Sequence, residues 1–189
     1  SARTSRTTTA SKSPSILGSA ADSVGRALRR TLGTLSRFPF TSDGHDALTM
    51  LEHDHRRLET LLAQGEDTGE RAVKARTTLL DTITHELKIH ELIEEKVLYP
   101  ALKAHKQAKD TVLEGYQEHH VADVLVEELH ALSPDDERWA AKFKVLKENI
   151  EHHIEEEEGE MFRIARSVLS RAEREELGER MLEMKRARR

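Results

Sequence analysis

Hydrophobic residues recur at every third or fourth position along most of the chain from residue 45 onward, which is the period of an amphipathic helix. The tetrapeptide SRAE at 170–173 has the sequence of a capping box and predicts a short helix near the C-terminus. Before it the pattern predicts four long helices, over 45–62, 71–105, 110–132 and from the SPDDE break to 169. Since the connections are short, we expect an all-α fold, an up-and-down antiparallel four-helix bundle with the fifth helix packed outside it.

The second predicted helix carries polar residues on its apolar face. In the stretch HELKIHELIEEKVLYP, 85–100, a helical wheel places His90 and Glu94 among Ile83, Leu87 and Val97. His85 and Glu95 fall on the outer side of the same wheel, so the inward placement of His90 and Glu94 is selective. A buried imidazole and a buried carboxylate both need a partner.

The same arrangement occurs twice in the chain. His90-x3-Glu94-Glu95-x3-Tyr99 recurs as His153-x3-Glu157-Glu158-x3-Phe162, and a single inward histidine precedes each copy by 34 or 35 residues. The wheel favours His55 over His53, His153 over His152, and His119 over His120, although the last choice stays open. Each half of the bundle is therefore predicted to supply one helix with a lone histidine and one with His-x3-Glu.

Four histidines and two glutamates at repeating inward positions predict a metal site. Residues i and i+4 of a helix are neighbours, so each His-x3-Glu can present an imidazole and a carboxylate to one point. Two antiparallel copies can place both carboxylates between two metal ions. A single core histidine with a hydrogen-bond partner would explain one such residue but not six in a repeat. Glu52/His55 and Glu127/His130 have the Glu-x-x-His spacing of ferritin-like di-iron bundles, but they are too far apart to serve one centre.

At these residues the sequence resembles the hemerythrin-like HHE cation-binding family, through DHRRLE, KIHELIEEKVLYPAL, EHHVADVL and HHIEEEEGEMF over roughly 45–169. The resemblance implies a four-helix bundle with a non-haem di-iron centre, and functions in oxygen binding, oxygen or iron sensing, or peroxide or nitric oxide chemistry. Where oxygen carriers of this family have a second histidine on the third helix, this chain has Asp123, which weakens the case for reversible oxygen carriage. The implied metal ligands are His55, His90, Glu94, His119, His153 and Glu157.

The amino-acid composition limits which residues can bind a metal ion. The chain has no cysteine, so metal ligands must be histidines and carboxylates. Zinc or manganese could occupy the same donors as iron, although more than four ligands argues against an ordinary tetrahedral zinc site. Nucleophile motifs, phosphate-binding loops and nucleic-acid-binding patterns are absent from the sequence. The functions left open are a di-iron sensor or stress-response module, a peroxide-decomposing enzyme, and an iron buffer or metal-stabilised scaffold.

The first 42 residues differ from the rest. They carry seven Lys or Arg and one acid in a chain of net charge −5, and they are rich in Ser and Thr, which predicts a basic and largely disordered tail before a bundle domain at 43–189. A short basic amphipathic stretch within 15–40 could contact an anionic membrane surface or a protein partner, or serve in organelle targeting. No apolar run approaches the length of a membrane span. We expect a cytoplasmic protein, and the sequence does not determine its oligomeric state.

Overall fold

The structure is a computed structural model that describes residues 46–188. Its helices are α1 (Ala47–Glu66), α2 (Val73–Ile93), α3 (Tyr99–Lys103), α4 (Lys109–His130), α5 (Trp139–Glu156), α6 (Phe162–Val168) and α7 (Arg171–Arg186). A π-helical turn, Glu94–Leu98, joins α2 to α3, and a second, Glu157–Met161, joins α5 to α6. A 3-10 turn, Lys106–Ala108, precedes α4. No strand occurs in this part of the chain, which confirms the predicted all-α class. The predicted tail at 1–42 lies outside the described residues.

The long helices form a closed ring. Helix α1 packs against α2 and α5, α4 packs against α5 and α2, and α7 lies outside the ring against α1 and α2. Because the connections are short, long helices that follow one another in the sequence and are neighbours in the ring run antiparallel. The predicted bundle with an outer fifth helix is therefore confirmed. None of the helices described between 46 and 188 has the length and apolar character needed to cross a bilayer.

Local sequence explains where helices begin. Asp46 caps α1, its side chain accepting a hydrogen bond from the backbone N–H of Leu48 at 3.0 Å. Ser170 and Glu173 form the predicted capping box at the start of α7, each side chain bonding the other residue's backbone N–H. The Asp46 carboxylate also accepts from Arg174 at 2.8 Å, so the starts of α1 and α7 are held together.

One predicted boundary is wrong. The sequence AQGEDTGE predicts a loop from residue 63, yet α1 continues to Glu66. The reason is packing, because Gly65 lies directly under the ring of Phe143 on α5. A Cβ at Gly65 would lie 2.2 Å from Phe143 Cζ, so this glycine permits close helix contact rather than ending the helix.

The two π turns begin at Glu94 and Glu157, which are equivalent positions of the sequence repeat. A π turn adds a residue to one turn of a helix and is frequent at functional sites. The helical pattern of the sequence does not predict either turn, since a helical wheel assumes a constant repeat of about 3.6 residues.

Apolar packing occupies both ends of the bundle, and a polar layer lies between them. At one end, Arg76 is only 2% exposed, stacks over Trp139 at 4.4 Å and donates to the carbonyl of Pro134 at 2.6 Å. At the other, Leu98 and Phe162 are fully buried in a cluster that includes Met181 of α7. Each fully buried large apolar side chain stabilises the fold by about 1.5–3 kcal/mol. These two apolar regions hold the helices around the layer where the predicted site residues lie.

Candidate metal centre

All six predicted site residues lie in the polar layer of the bundle. His55 is on α1, His90 on α2, His119 on α4 and His153 on α5, while Glu94 and Glu157 open the two π turns. These residues are between 0% and 5% exposed, although charged and polar residues of this kind are seldom fully buried in a core. The structure therefore brings the six together.

Glu94 lies between two histidines from different helices. Its Oε1 is 3.2 Å from Nε2 of His90, and its Oε2 is 3.1 Å from Nε2 of His119. Glu157 is placed similarly, with Oε2 3.1 Å from Nε2 of His55 and 3.9 Å from Nε2 of His153. Glu94 is thus positioned to be shared by two groups of donors, whereas Glu157 lies closer to His55 than to His153.

The donor atoms divide into two metal-sized groups that share Glu94. One group contains His55, His90, Glu94 and Glu157, and the other contains Glu94, His119 and His153. Within each group every residue offers one atom within 4.8 Å of the others. Nitrogen and oxygen donors of this type suit iron, manganese or zinc.

The polar atoms at the centre of the site lack hydrogen bonds. Within residues 46–188, seven buried atoms of the site have no hydrogen-bond partner. They are Nε2 of His55, His90 and His153, and both carboxylate oxygens of Glu94 and Glu157. A buried polar atom left without a partner costs about 1–3 kcal/mol. Metal ions would satisfy all of these atoms at once, so the donor set fits a two-metal centre.

Without metal, the two central carboxylates interact unfavourably. Burial and the nearby charge of Glu157 raise the pKa of Glu94 well above its usual range. Burial would also raise the pKa of Glu157, but its contact with His55 outweighs burial and lowers it. For His55 burial lowers the pKa, yet Glu157 and Glu158 together raise it to about 9. In the metal-free protein, the surroundings therefore favour the neutral form of Glu94 and the charged form of His55.

A second set of carboxylates surrounds the histidines. Nδ1 of His55 lies 2.7 Å from Glu158, Nδ1 of His153 lies 2.8 Å from Glu118, and Nδ1 of His119 lies 3.1 Å from Glu95. The fourth pair is longer, with Nδ1 of His90 3.9 Å from Asp54. A carboxylate at Nδ1 fixes the orientation of an imidazole and leaves Nε2 free for a metal.

These outer carboxylates follow the repeat. Asp54 and Glu118 immediately precede His55 and His119 in sequence, and each faces the histidine of the next long helix in its own half. Glu95 and Glu158 immediately follow Glu94 and Glu157, and each faces a histidine of the other half. The helical pattern of the sequence does not predict this role of the outer carboxylates, although the sequence contains a signal for it. Its signal is the acidic residue beside each of four site residues, in Asp54-His55, Glu94-Glu95, Glu118-His119 and Glu157-Glu158.

The alternative histidines lie outside the centre. His53 and His120 are exposed, whereas His55 and His119 are buried. His152 is 60% exposed and faces Glu156 at 3.3 Å on the surface. His130, from the Glu-x-x-His pair that the sequence analysis set aside, is bonded to Thr84 away from the site.

Asp123 is not a donor in either group of site residues. Its carboxylate pairs instead with Lys88 at the surface. The position where oxygen carriers have an additional histidine therefore contributes nothing to the centre.

A small cavity adjoins the centre. Three of the site histidines line it, His90, His119 and His153, together with Glu91, Asn149 and apolar residues that include Leu58. Burial and the charge of Asp123 raise the pKa of Glu91 to about 8, so its carboxyl is neutral at the edge of the cavity at lower pH. The cavity lies beside the imidazoles of these three histidines.

A family model described as "Hemerythrin HHE cation binding domain" matches residues 46–165 of this chain. The chain belongs to this family. The bundle, the repeated His-x3-Glu and the buried donors all lie within the matched range. Membership implies that the protein binds metal.

A similar solved structure is that of a hemerythrin HHE cation binding domain-containing protein from Mycobacterium kansasii. The two sequences are 27% identical, the match covers 76% of this chain and 87% of that chain, and the TM-score is 0.67. No curated protein matches the sequence significantly. The structural similarity agrees with the family model on the helical bundle.

Proposed function

We propose that this HHE-domain protein holds a non-haem di-iron centre that reacts with oxygen or peroxide. The observation that carries the proposal is the position of Glu94, whose two oxygens each face the Nε2 atom of a different histidine. A carboxylate so placed is suited to bridge two metal ions. One ion would be held by His55 and His90, the other by His119 and His153, with Glu94 and Glu157 shared.

Bound iron would supply redox chemistry and Lewis acidity toward a small oxygen-containing molecule. The six residues, with both glutamates shared, give about eight metal–ligand bonds where two octahedral ions offer about twelve positions. Positions for an external ligand would therefore remain, and a cavity lined by His90, His119 and His153 adjoins the residues that would hold the ions.

The protein contributes orientation and access. Glu158, Glu118 and Glu95 accept hydrogen bonds from Nδ1 of three histidines, which holds each Nε2 toward the interior and makes the imidazole a stronger donor. Apolar side chains that include Leu87 and Ile150 line part of the cavity and would disfavour strongly hydrated molecules there. Since Asp123 is not a ligand, the centre would have fewer protein ligands than the centre of an oxygen carrier. This favours reaction with oxygen over its reversible storage.

The test uses the full chain loaded anaerobically with ferrous iron. On exposure to air we expect oxidation without a long-lived oxygen adduct, and the ferric protein should decompose or bind peroxide with a change in its visible spectrum. A stable adduct that releases oxygen under vacuum would contradict the proposal and favour a carrier. An iron-loaded sample whose spectrum responds to neither oxygen nor peroxide would indicate an iron buffer or a metal-stabilised scaffold.

A sensor is the second candidate, favoured by the contact of α7 with the centre. Lys185 on α7 binds Asp54, the outer carboxylate that faces His90. A change at the metal could thus alter the packing of an outer helix that a partner recognises, and nitric oxide or iron availability could act in the same way. Hydrogen exchange of α7 with and without iron tests this, since a sensor requires protection of α7 to change and an enzyme does not.

A further inference from the structure

Two residues outside the proposed ligand set have buried oxygen atoms without a hydrogen-bond partner. Among residues 46–188, the buried side-chain oxygens that lack a partner belong to Glu94, Glu157, Glu91 and Asn149. The proposed metal ions account for the oxygens of Glu94 and Glu157. They do not account for Oε1 of Glu91 or Oδ1 of Asn149, and both of these residues line the small cavity beside the centre. An unpaired buried acceptor is unfavourable, so these two oxygens indicate a missing hydrogen-bond donor.

The two residues lie on different helices that share a neighbour. Glu91 is on α2 and Asn149 is on α5, and α4 packs against both helices. Helix α4 contributes the buried Ala122 to the wall of the same cavity. Because Ala122 carries only a methyl group, it leaves space that a longer side chain would fill. The cavity therefore combines two acceptor groups with a short side chain from the helix that contacts both.

The Glu91 carboxyl group is held from the protein surface. Nζ of Lys88 lies 3.5 Å from Oε2 of Glu91 and also binds Asp123. This contact uses one carboxyl oxygen of Glu91 and leaves the other, Oε1, without a partner. A carboxyl group keeps an accepting oxygen in both its charged and its neutral form, so the acceptor does not depend on the titration of Glu91.

We propose that Glu91 and Asn149 form a subsite for hydrogen peroxide beside the metal positions, where their unpaired oxygens accept hydrogen bonds from its O–H groups. This inference rests on the proposed di-iron function and selects among its small-molecule substrates. Hydrogen peroxide can donate a hydrogen bond from each end, whereas dioxygen and nitric oxide have no hydrogen to donate. The subsite therefore favours peroxide over dioxygen. It binds and orients the molecule, and no covalent bond forms or breaks at either residue.

The neighbouring histidines place this subsite next to the proposed ions. Glu91 directly follows His90 in the sequence, and Asn149 lies one helical turn before His153. Both histidines also line the cavity. Since His90 belongs to one proposed metal position and His153 to the other, a molecule held by Glu91 and Asn149 would lie close to both.

Binding is tested first in the metal-free full chain, where no reaction at iron can occur. Hydrogen peroxide is added while heteronuclear NMR follows the side-chain amide of Asn149. We expect a saturable shift with peroxide and none in buffer saturated with dioxygen. Glu91→Met removes an acceptor and Ala122→Val fills the cavity, so each should reduce the shift. Glu91→Gln retains a carbonyl oxygen and should restore it.

The iron-loaded protein provides a kinetic test. Peroxide decomposition is measured at increasing peroxide concentration, and oxidation of the ferrous protein by dioxygen is measured in parallel. Asn149→Leu and Glu91→Met should each raise the KM for peroxide by about 2–10-fold, the loss expected for one hydrogen bond, with a smaller change in kcat. Glu148→Leu is the control, because Glu148 adjoins Asn149 but its side chain is 61% exposed, and its KM should match that of the wild type.

The outcomes separate the subsite from the di-iron function. Absence of a saturable shift in the wild type, or a shift that persists in both Glu91→Met and Ala122→Val, overturns the subsite. An unchanged KM in Asn149→Leu overturns it too, as does an equal loss of the peroxide and dioxygen reactions, which would indicate a structural role. Glu91→Met carries the kinetic test if Asn149→Leu does not fold. Wild-type protein that binds fewer than about two irons contradicts the proposed function itself, whereas the NMR result does not depend on iron.

Discussion

Lys185 on α7 binds the carboxylate of Asp54 on α1, with Nζ 2.6 Å from Oδ2. Asp54 faces Nδ1 of His90 at 3.9 Å, whereas the other three outer carboxylates lie 2.7–3.1 Å from their histidines. The carboxylate that lies farthest from its histidine, that of Asp54, is thus the one bound by a lysine. Burial would raise the pKa of Asp54, but His90 and Lys185 together lower it to about 2.

Lys185→Met should destabilise the metal-free protein by about 1–3 kcal/mol, because it leaves the mostly buried Asp54 carboxylate without its ammonium. Urea unfolding measures the change. Lys144→Met is the matched control, since Lys144 forms a surface pair with Glu148 in which both side chains are more than 60% exposed, and it should have little effect. Equal losses from both variants would mean that the contact between α7 and Asp54 has no special weight.

Neighbouring histidines should differ sharply in their effect on iron content. His153→Ala removes a buried donor and should lower bound iron from about two ions per chain to one or fewer. His152→Ala changes a side chain that is 60% exposed and should leave iron content nearly unchanged. Elemental analysis of both reconstituted proteins makes the comparison, and His55→Ala with His53→Ala repeats it on α1. Similar losses within a pair would show that the inward faces are wrongly assigned.

Glu118→Gln should weaken metal binding although Glu118 is not in the inner donor set. Its carboxylate accepts a hydrogen bond from Nδ1 of His153 at 2.8 Å, and loss of such a contact typically lowers metal affinity by about 10–100-fold. Competition with a chelator of known affinity measures the change. Glu114→Gln, one turn earlier on α4 and exposed, is the control and should bind as the wild type does.

The metal-free protein should lose stability as pH rises from about 6.5 through about 9, because the pKa of His55 is raised from 6.5 to about 9. A group with a raised pKa in the folded state contributes stability that is complete below its unfolded pKa and disappears above its folded pKa. Urea unfolding across this range measures the decline. His55→Gln should reduce the decline without abolishing it, because the pKa of Glu91 is also raised, to about 8, and His152→Gln should leave it unchanged. A decline that is the same in His55→Gln as in the wild type would contradict the assignment.

Helical periodicity was sufficient to predict much of this architecture. The wheel placed His90 and Glu94 inward, and burial of both follows from their positions on the apolar face. For His119 and His120 the sequence left the choice open, because apolar neighbours lie near both. The structure resolves it, since His119 lies under Tyr99 and beside Glu94 while His120 faces outward.

Contacts between helices explain what the sequence did not predict. The π turns at Glu94 and Glu157 depart from the regular helical period, so no wheel reveals them. Glu95 lies on the outer side of its own helix and was therefore set aside, yet it reaches His119 on α4. The end of α1 was misplaced because Gly65 meets Phe143 of α5, a contact that local sequence does not contain.

The central claim is that Glu94 joins two metal positions, and anaerobic titration of the metal-free protein with ferrous iron tests it most directly. The predicted endpoint is about two ions per chain. Glu94→Gln should lower it to about one or none, because the shared carboxylate is lost. A wild-type endpoint at or below one ion, or a clear preference for zinc over iron in a competition titration, would contradict the di-iron account.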